Sequence, residues 1–481
     1  MEPIFALGIV VPPAGSRDRL RSLHAQLRAA ILDGRLQPGL RLPATRVLAE
    51  GLGVSRNTAI AVYDLLLSEG YLTARQGAGT YVADLLPRLG WADAGEGGGP
   101  DDRLAPAWRV PPAMPRQPPA VPWRFDFRVG LPDKGPFPFP IWRRLSARAL
   151  RALSKAPAAY AAAEGRAELR EAIAHHVSFA RAVACRAEDV VVTAGAQQGF
   201  DLIARILVTP GRTVVAVEDP GYPPLRAAFL AAGAELAPVP VDAEGLVVDQ
   251  LPETARIICA TPSHQFPLGT VLSPRRRAAL LDFAQARGAV VVEDDYDGEF
   301  RYTGRPLDAL KTLDRAGAVF YVGTFSKSLF PALRLGFVVA PAWARAALVA
   351  AKGVADWHGP VLAQGTLAAF IAEGHLARHV RKMRRIYDGR HTALLEALAR
   401  HGGGRLEPIP SQAGLHLAAH LHMSMPARDA VAKAAALGIG LQPLDRYAMA
   451  EAAPNGLVFG YGMIPADRIE EGVRQLARVL E

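Results

Sequence analysis

Lys327 lies in Gly323-Thr324-Phe325-Ser326-Lys327-Ser328, directly after the apolar run Val319–Val322, in a chain with seven lysines against 48 arginines. An amine kept at the end of a buried strand, among small hydroxylated residues, suits nucleophilic attack on an aldehyde. Other reactive side chains fall at equivalent places. Asp294, Asp295 and Tyr296 follow the apolar run Ala289–Val292, and Tyr222 follows Thr213–Val217 in Asp219-Pro220-Gly221-Tyr222. Ala196 and Gln197 open a helix after Asp189–Thr193 and Gly195, and Arg334 lies seven residues beyond Lys327. This set meets the needs of pyridoxal 5'-phosphate: a lysine for a Schiff base, a carboxylate for the pyridine nitrogen and an aromatic ring to stack. Helix-terminal N–H groups, a hydroxyl or an arginine would hold its phosphate. Lys327 is then the covalent handle, Tyr296 meets the ring hydroxyl and Tyr222 the ring face. Asp294 meets the nitrogen, with Asp295 as the alternative. Arg334, Thr324, Ala196 and Gln197 serve the phosphate. No histidine stands at ligand spacing beside the acidic run, which argues against a metal site there.

These residues need a frame that brings strand ends together. Apolar runs of strand length at Asp189–Thr193, Thr213–Val217, Ile257–Ala260, Ala289–Val292 and Val319–Val322 alternate with helical stretches. The repeated strand-then-helix order predicts an α/β body with a mostly parallel sheet covered on both faces. In such sheets ligands bind outside the carboxyl ends of the strands, where the candidate residues fall.

The first 83 residues read differently. Leu20, Leu23, Leu27 and Ile31 recur at helical spacing, Pro43 could open a short second helix carrying Leu48, and Ser55 could cap a third. On that third helix Ile60, Tyr63 and Leu67 are expected to face inward. Tyr71-Leu72-Thr73 and Thr80-Tyr81-Val82 flank Gly77-Ala78-Gly79 as a small hairpin. Helix, helix, turn, helix and hairpin is the winged helix-turn-helix plan, whose recognition helix enters the major groove by its N-terminal residues. Here those are Ser55, Arg56, Asn57 and Thr58, with Arg56 suited to guanine, Asn57 to adenine, and Ser55 and Thr58 to phosphates. Arg46, one helix earlier, would meet the DNA backbone. Residues 84–123, with Gly97-Gly98-Gly99-Pro100, Pro111-Pro112 and Pro118-Pro119, read as a linker between this head and a body spanning 124–481.

The net charge of +9 and pI near 9.7 suit a polyanionic partner, although the arginines are scattered rather than clustered. Cys185 and Cys259 lack CxxC partners and read as buried thiols of a reducing compartment. Without a signal-peptide pattern or an uninterrupted apolar span, a cytoplasmic protein is expected.

Leu36-Gln37-Pro38-Gly39-Leu40-Arg41-Leu42-Pro43-Ala44-Thr45-Arg46, with Gly53–Thr58, Glu69–Leu72 and Gly77–Val82, closely resembles the GntR-type winged-helix head. That resemblance implies DNA contacts by Arg46, Ser55, Arg56, Asn57 and Thr58, and adds Gln76 and Gly77 at the wing tip. Gly195–Asp201, Glu218–Tyr222, Thr261–Gly269, Arg275–Leu280, Glu293–Tyr302 and Gly323–Phe337 resemble the strings of MocR-type regulators, which fuse such a head to a fold-type-I aminotransferase-like body. The resemblance implies a large α/β domain, a smaller α+β C-terminal domain and a head-to-tail homodimer. It further implies a double-stranded DNA operator and an effector, either an amino compound or pyridoxal 5'-phosphate itself, sensed through Lys327. Two positions depart from working aminotransferases. Phe266 stands where an asparagine would touch the ring hydroxyl, and ungapped placement from Gly462-Met463 puts Leu457 where an arginine would hold the substrate carboxylate. Arg446 is a substitute candidate, and Pro223-Pro224 leaves no arginine after Tyr222. A regulator is therefore expected, against two alternatives: an aminotransferase carrying a DNA-binding head, or a DNA-binding protein whose body only dimerises.

Overall fold

Leu23, Leu27, Ala30 and Ile31 line one face of α1 (Arg19–Leu32) and meet α2 (Thr45–Leu52) and α3 (Arg56–Ser68) around a small core. Pro43 precedes α2 rather than opening it, because Ala44 is the cap residue; the Pro43 carbonyl instead accepts the Tyr63 hydroxyl at 2.9 Å. The inward face of α3 is Ala59, Val62, Tyr63 and Leu66, while Ile60 is 36% exposed and Leu67 only partly buried. The true stripe follows the 3.6-residue period one position away from the Ile60 and Leu67 expected from sequence. β1 (Leu72–Arg75) and β2 (Gly79–Val82) pair antiparallel from Leu72↔Val82 to Arg75↔Gly79.

In this computed structural model the described residues are 3–13, 16, 18–75, 78–84, 103–109, 114, 123–302, 307–450 and 454–481. Gln76, Gly77 and most of segment 84–123 lie outside them. The chain divides into two units, Met1–Gly99 and Pro100–Glu481. Among the described residues no helix is long and apolar enough to cross a membrane.

The second unit holds a four-residue helix, Pro106–Arg109, and then β3 (Phe125–Asp126). Its main sheet comprises β4 (Val190–Thr193), β5 (Val214–Asp219), β6 (Glu235–Asp242), β7 (Gly245–Leu246), β8 (Ala255–Ala260), β9 (Val290–Asp295), β10 (Val319–Thr324) and β11 (Gly336–Val339). Spatial order is β4-β11-β10-β9-β8-β5-β6-β7. Neighbours from β10 to β6 are parallel, whereas β11 runs antiparallel to both β10 and β4. Each central strand is apolar and buried, as a sheet covered on both faces requires. β9 and β10 run two or more residues beyond the apolar segments seen in the sequence, so Asp294, Asp295 and Thr324 belong to the strands themselves. Cys259 is buried within the sheet, but Cys185 is only partly so.

The C-terminal part contains β12 (Leu406–Pro408), β13 (His416–Leu421), β14 (Ile439–Gly440), β15 (Gln442–Pro443) and β16 (Gly456–Gly460), behind a helix of 27 residues, His375–His401. β12-β13-β16-β15 form an antiparallel sheet, and β14 pairs in parallel with β3. The entering segment 125–132 is thus stitched to the end of the chain. Phe127 donates to the Gly440 carbonyl at 2.7 Å, and Gly460 donates to the Phe127 carbonyl at 2.8 Å. Backbones approach so closely at Gly460 that a methyl group there would overlap the Arg128 carbonyl. Gly460→Ala should destabilise the chain by about 1–3 kcal/mol, as overpacking does. Urea unfolding of the full chain reads this directly, and an unchanged midpoint would contradict the close approach.

Candidate functional site

Asp294 and Asp295 point to opposite faces of β9, as consecutive strand residues must. Asp295 is fully engaged: Arg181 Nε donates to it at 2.6 Å and the Tyr321 hydroxyl at 2.5 Å. Asp294 is buried to 4% exposure, and its Oδ1 has no hydrogen-bond partner among the described residues. Burial first, then the Asp295 charge, push the Asp294 carboxyl well above its ordinary range, while Lys327 pulls it back. Of the two candidates, only Asp294 has an oxygen to offer a ligand. An orphaned, buried carboxylate oxygen is what a ring N–H would satisfy.

Lys327 lies in the turn after β10, and its Nζ donates to the Gly130 carbonyl at 2.7 Å. Desolvation lowers the pKa of this amine, with Asp297 and then Asp294 opposing it. Thr324 braces the turn: its hydroxyl accepts the Ser326 N–H at 3.2 Å and donates to the Ser326 hydroxyl at 3.1 Å. Arg334 takes a left-handed conformation (φ 51°) and reaches back to the start of the helix Ala196–Leu207, where its Nη2 donates to the Ala194 carbonyl at 2.6 Å. A side chain at Gly195 would come within 3.0 Å of that guanidinium. Helix N-terminus, Arg334 and Thr324 could together hold a phosphate. Gln197 directs its side-chain amide to the Pro224 carbonyl at 2.9 Å, leaving its backbone N–H for that role.

Tyr222 precedes the helix Pro223–Ala231, and burial followed by the Asp294 charge pushes its phenol up to about 12. Its ring packs edge-on against Phe266 at 5.4 Å. Tyr296 follows β9 and its hydroxyl lies 2.9 Å from His264 Nδ1. Lys327, Asp294, Tyr296, Tyr222, Thr324, Arg334, Ala196 and Gln197 therefore gather at the carboxyl ends of parallel strands and the helix they feed. The acceptor of the Lys327 amine, Gly130, is 197 residues away in sequence and carries no side chain to signal it.

Two expectations change. Leu457 belongs to the core shared with Phe459 and Leu417, whereas Val458 packs with Phe266, Tyr447 and Ile409, against Tyr222 and Tyr296. The site-facing residue of β16 is thus Val458, because one step along a strand reverses the face. Arg446 is exposed on the turn Leu444–Tyr447. Secondly, the acidic run does meet histidines. His264 and His416 bring ring nitrogens within 4.8 Å of an Asp297 oxygen and of each other. These atoms bond within the protein: His264 Nδ1 lies 3.1 Å from Asp297 Oδ1 and His416 Nε2 lies 3.1 Å from the Pro267 carbonyl. Sequence spacing hides this cluster, since its members come from three separate segments.

In the head, Ser55 caps α3 by accepting the Thr58 N–H at 3.1 Å, and the two hydroxyls lie 2.8 Å apart. Arg56 and Asn57 stand exposed in the first turn, as a base-reading position requires. Arg46, also exposed, pairs with Glu50 at 3.2 Å. Arg75, at the base of the hairpin turn, stacks over Tyr81 at 4.7 Å.

Comparison with known proteins follows the same division. Residues 20–82 match the family of bacterial regulatory proteins named gntR, and residues 130–442 match aminotransferase class I and II. The chain is 38% identical to the probable rhizopine catabolism regulatory protein MocR of Rhizobium meliloti, over 95% of this chain and 92% of that protein. It is 33% identical to the HTH-type pyridoxine biosynthesis transcriptional regulator PdxR of Corynebacterium glutamicum, over 93% and 92% respectively. The structure of LysN, the α-aminoadipate aminotransferase of Thermus thermophilus, is similar with a TM-score of 0.68 and 31% identity, over 74% of this chain and 92% of that one. Winged-helix head, fold-type-I body and near full-length similarity lead to one conclusion: the chain belongs to the MocR-type transcription regulators, which join a GntR head to an aminotransferase-like body.

Proposed function

We propose that this regulator binds pyridoxal 5'-phosphate at Lys327 and senses an amino compound, or the cofactor itself, through that lysine. The observation that carries the reading is the buried, unpartnered Asp294 Oδ1 facing the same site as a desolvated lysine. When bound, the cofactor supplies an electrophilic carbonyl and an electron-withdrawing pyridinium ring. Asp294 would pair with the ring nitrogen, Tyr222 would stack on the ring, and Tyr296 would meet its hydroxyl. Arg334, Thr324 and the backbone N–H groups of Ala196 and Gln197 would bind the phosphate. LysN, crystallised with N-(5'-phosphopyridoxyl)-L-leucine, supports the cofactor class for this fold.

Phe266 stands where working aminotransferases direct an amide at the ring hydroxyl, and β16 turns Val458 rather than an arginine toward the site. Both favour sensing over turnover. Lys327 would then serve as a covalent handle, and an effector amine that took its place would change what meets the Gly130 carbonyl and, through it, the C-terminal part. In a head-to-tail homodimer, such a change would bias two heads between arrangements on an operator, with the 84–123 segment setting their reach. Arg56 and Asn57 would read bases and Arg46 the backbone, with Ser55, Thr58, Gln76 and Gly77 completing the surface. The site of action is the cytoplasm, with the DNA.

Reconstituted wild type should show the visible absorbance band of the lysine-bound cofactor, and Lys327→Ala should lack it while keeping its circular dichroism. A wild type without the band would overturn the cofactor reading. Arg56→Ala should weaken specific operator binding by about 1–3 kcal/mol, measured by fluorescence anisotropy at fixed salt. Unaltered affinity would place the recognition surface elsewhere.

A further inference from the structure

The loop that carries Phe266 also carries His264, both of whose ring nitrogens meet polar groups. His264 is 2% exposed and Asp297 is 1% exposed. His264 Nδ1 lies 3.1 Å from both carboxylate oxygens of Asp297 and 2.9 Å from the Tyr296 hydroxyl, while Nε2 lies 3.1 Å from Ser411 Oγ. Two glycines with left-handed backbone make the space. A side chain at Gly414 (φ 88°) would overlap His264 Cε1, and one at Gly269 (φ 81°) would come within 2.9 Å of Ser411. Three segments distant in sequence are therefore shaped around one imidazole.

The hydrogen-bond roles follow from the partners. A carboxylate only accepts, so Nδ1 must carry the proton it shares with Asp297. The Tyr296 oxygen then faces an N–H and accepts from it. Burial, then the Asp297 charge, push the Tyr296 phenol well above its ordinary range, so it keeps its own proton. That proton cannot go to Nδ1 and must be directed elsewhere. We propose that His264 and Asp297 form a positioning pair that holds the Tyr296 hydroxyl as a proton donor toward the ring oxygen of the bound cofactor. The pair takes over the anchoring that an amide at position 266 would give. This inference rests on the cofactor reading above.

A donor to a ring oxyanion favours the form in which the lysine-bound cofactor has lost its proton. Removing that donor should therefore raise the pH midpoint of the visible band. The charged and titratable groups facing the trio are Asp294, Glu218, Lys327, Tyr302, Tyr461, His416 and His391, all retained in the variants below. The test is a pH titration of the reconstituted full chain by absorbance, with wild type, His264→Phe, the isosteric Asp297→Asn, Tyr296→Phe and the double variant His264→Phe/Tyr296→Phe. His264→Phe and Tyr296→Phe should each raise the midpoint by about half a pH unit or more, whereas Asp297→Asn also removes a charge that raises the Lys327 pKa and should shift the midpoint less than Tyr296→Phe does. The double variant should match Tyr296→Phe alone, since members of one network are not additive. A midpoint unchanged in His264→Phe while Tyr296→Phe shifts, or additive shifts in the double variant, would overturn the pair. If Tyr296→Phe leaves the midpoint unchanged, the donor role itself fails. Absence of any band in the wild type would overturn the cofactor reading and this inference together.

Discussion

A carboxyl group buried with one oxygen unpaired costs stability, on the order of one to three kcal/mol for a neutral group and more when charged. Asp294 occupies that position at the end of β9, while its neighbour Asp295 is held by Arg181 and Tyr321 on the other face. Strand alternation separates the two acids: Asp295 is bonded within the fold, and Asp294 keeps an unpaired oxygen that a ligand would satisfy. The rest of the body is arranged around the free one. β10 delivers Lys327, β11 and the helix Ala196–Leu207 are joined by Arg334, and the 125–132 segment crosses to the C-terminal part to place the Gly130 carbonyl against the lysine.

That crossing links site to fold. Phe127 and Gly460 lock the entering chain to β16, and Val458, two residues before Gly460, faces Phe266 and Tyr222. The same C-terminal sheet therefore positions the lysine's acceptor and forms the apolar wall of the site. Lys327 is thus hydrogen-bonded to the same segment that is paired with the C-terminal part. Phe266, Tyr447 and Tyr222 form an aromatic wall beside β16, a strand that carries no charged residue.

Much of this was legible in the sequence, because strand–helix alternation and strand-end residues are local signals. The apolar runs preceding Asp294 and Lys327 identified strands that the structure contains, and the head's strings matched its three helices and hairpin. Register was the weak point. On α3 Tyr63 faced inward as expected while Ile60 and Leu67 each fell one position off the stripe, the site-facing residue of β16 was likewise displaced by one, and in a strand one position reverses the face. Hidden altogether were partners with no local signature: the Gly130 carbonyl, and the meeting of His264, Asp297, Ser411 and His416. Only tertiary folding creates these neighbourhoods, and the glycines at 269 and 414 that make room for them read as ordinary loop residues.

The central claim is that chemistry at Lys327 is coupled to DNA binding by the head. Footprinting on the DNA beside this protein's own gene, with wild type and Lys327→Ala, each with and without cofactor and candidate amines, tests it most directly. The account predicts that an amine changes the footprint or the affinity, by about fivefold or more, only in cofactor-loaded wild type. An identical footprint and affinity in every state, or an amine response that survives in Lys327→Ala, would contradict it.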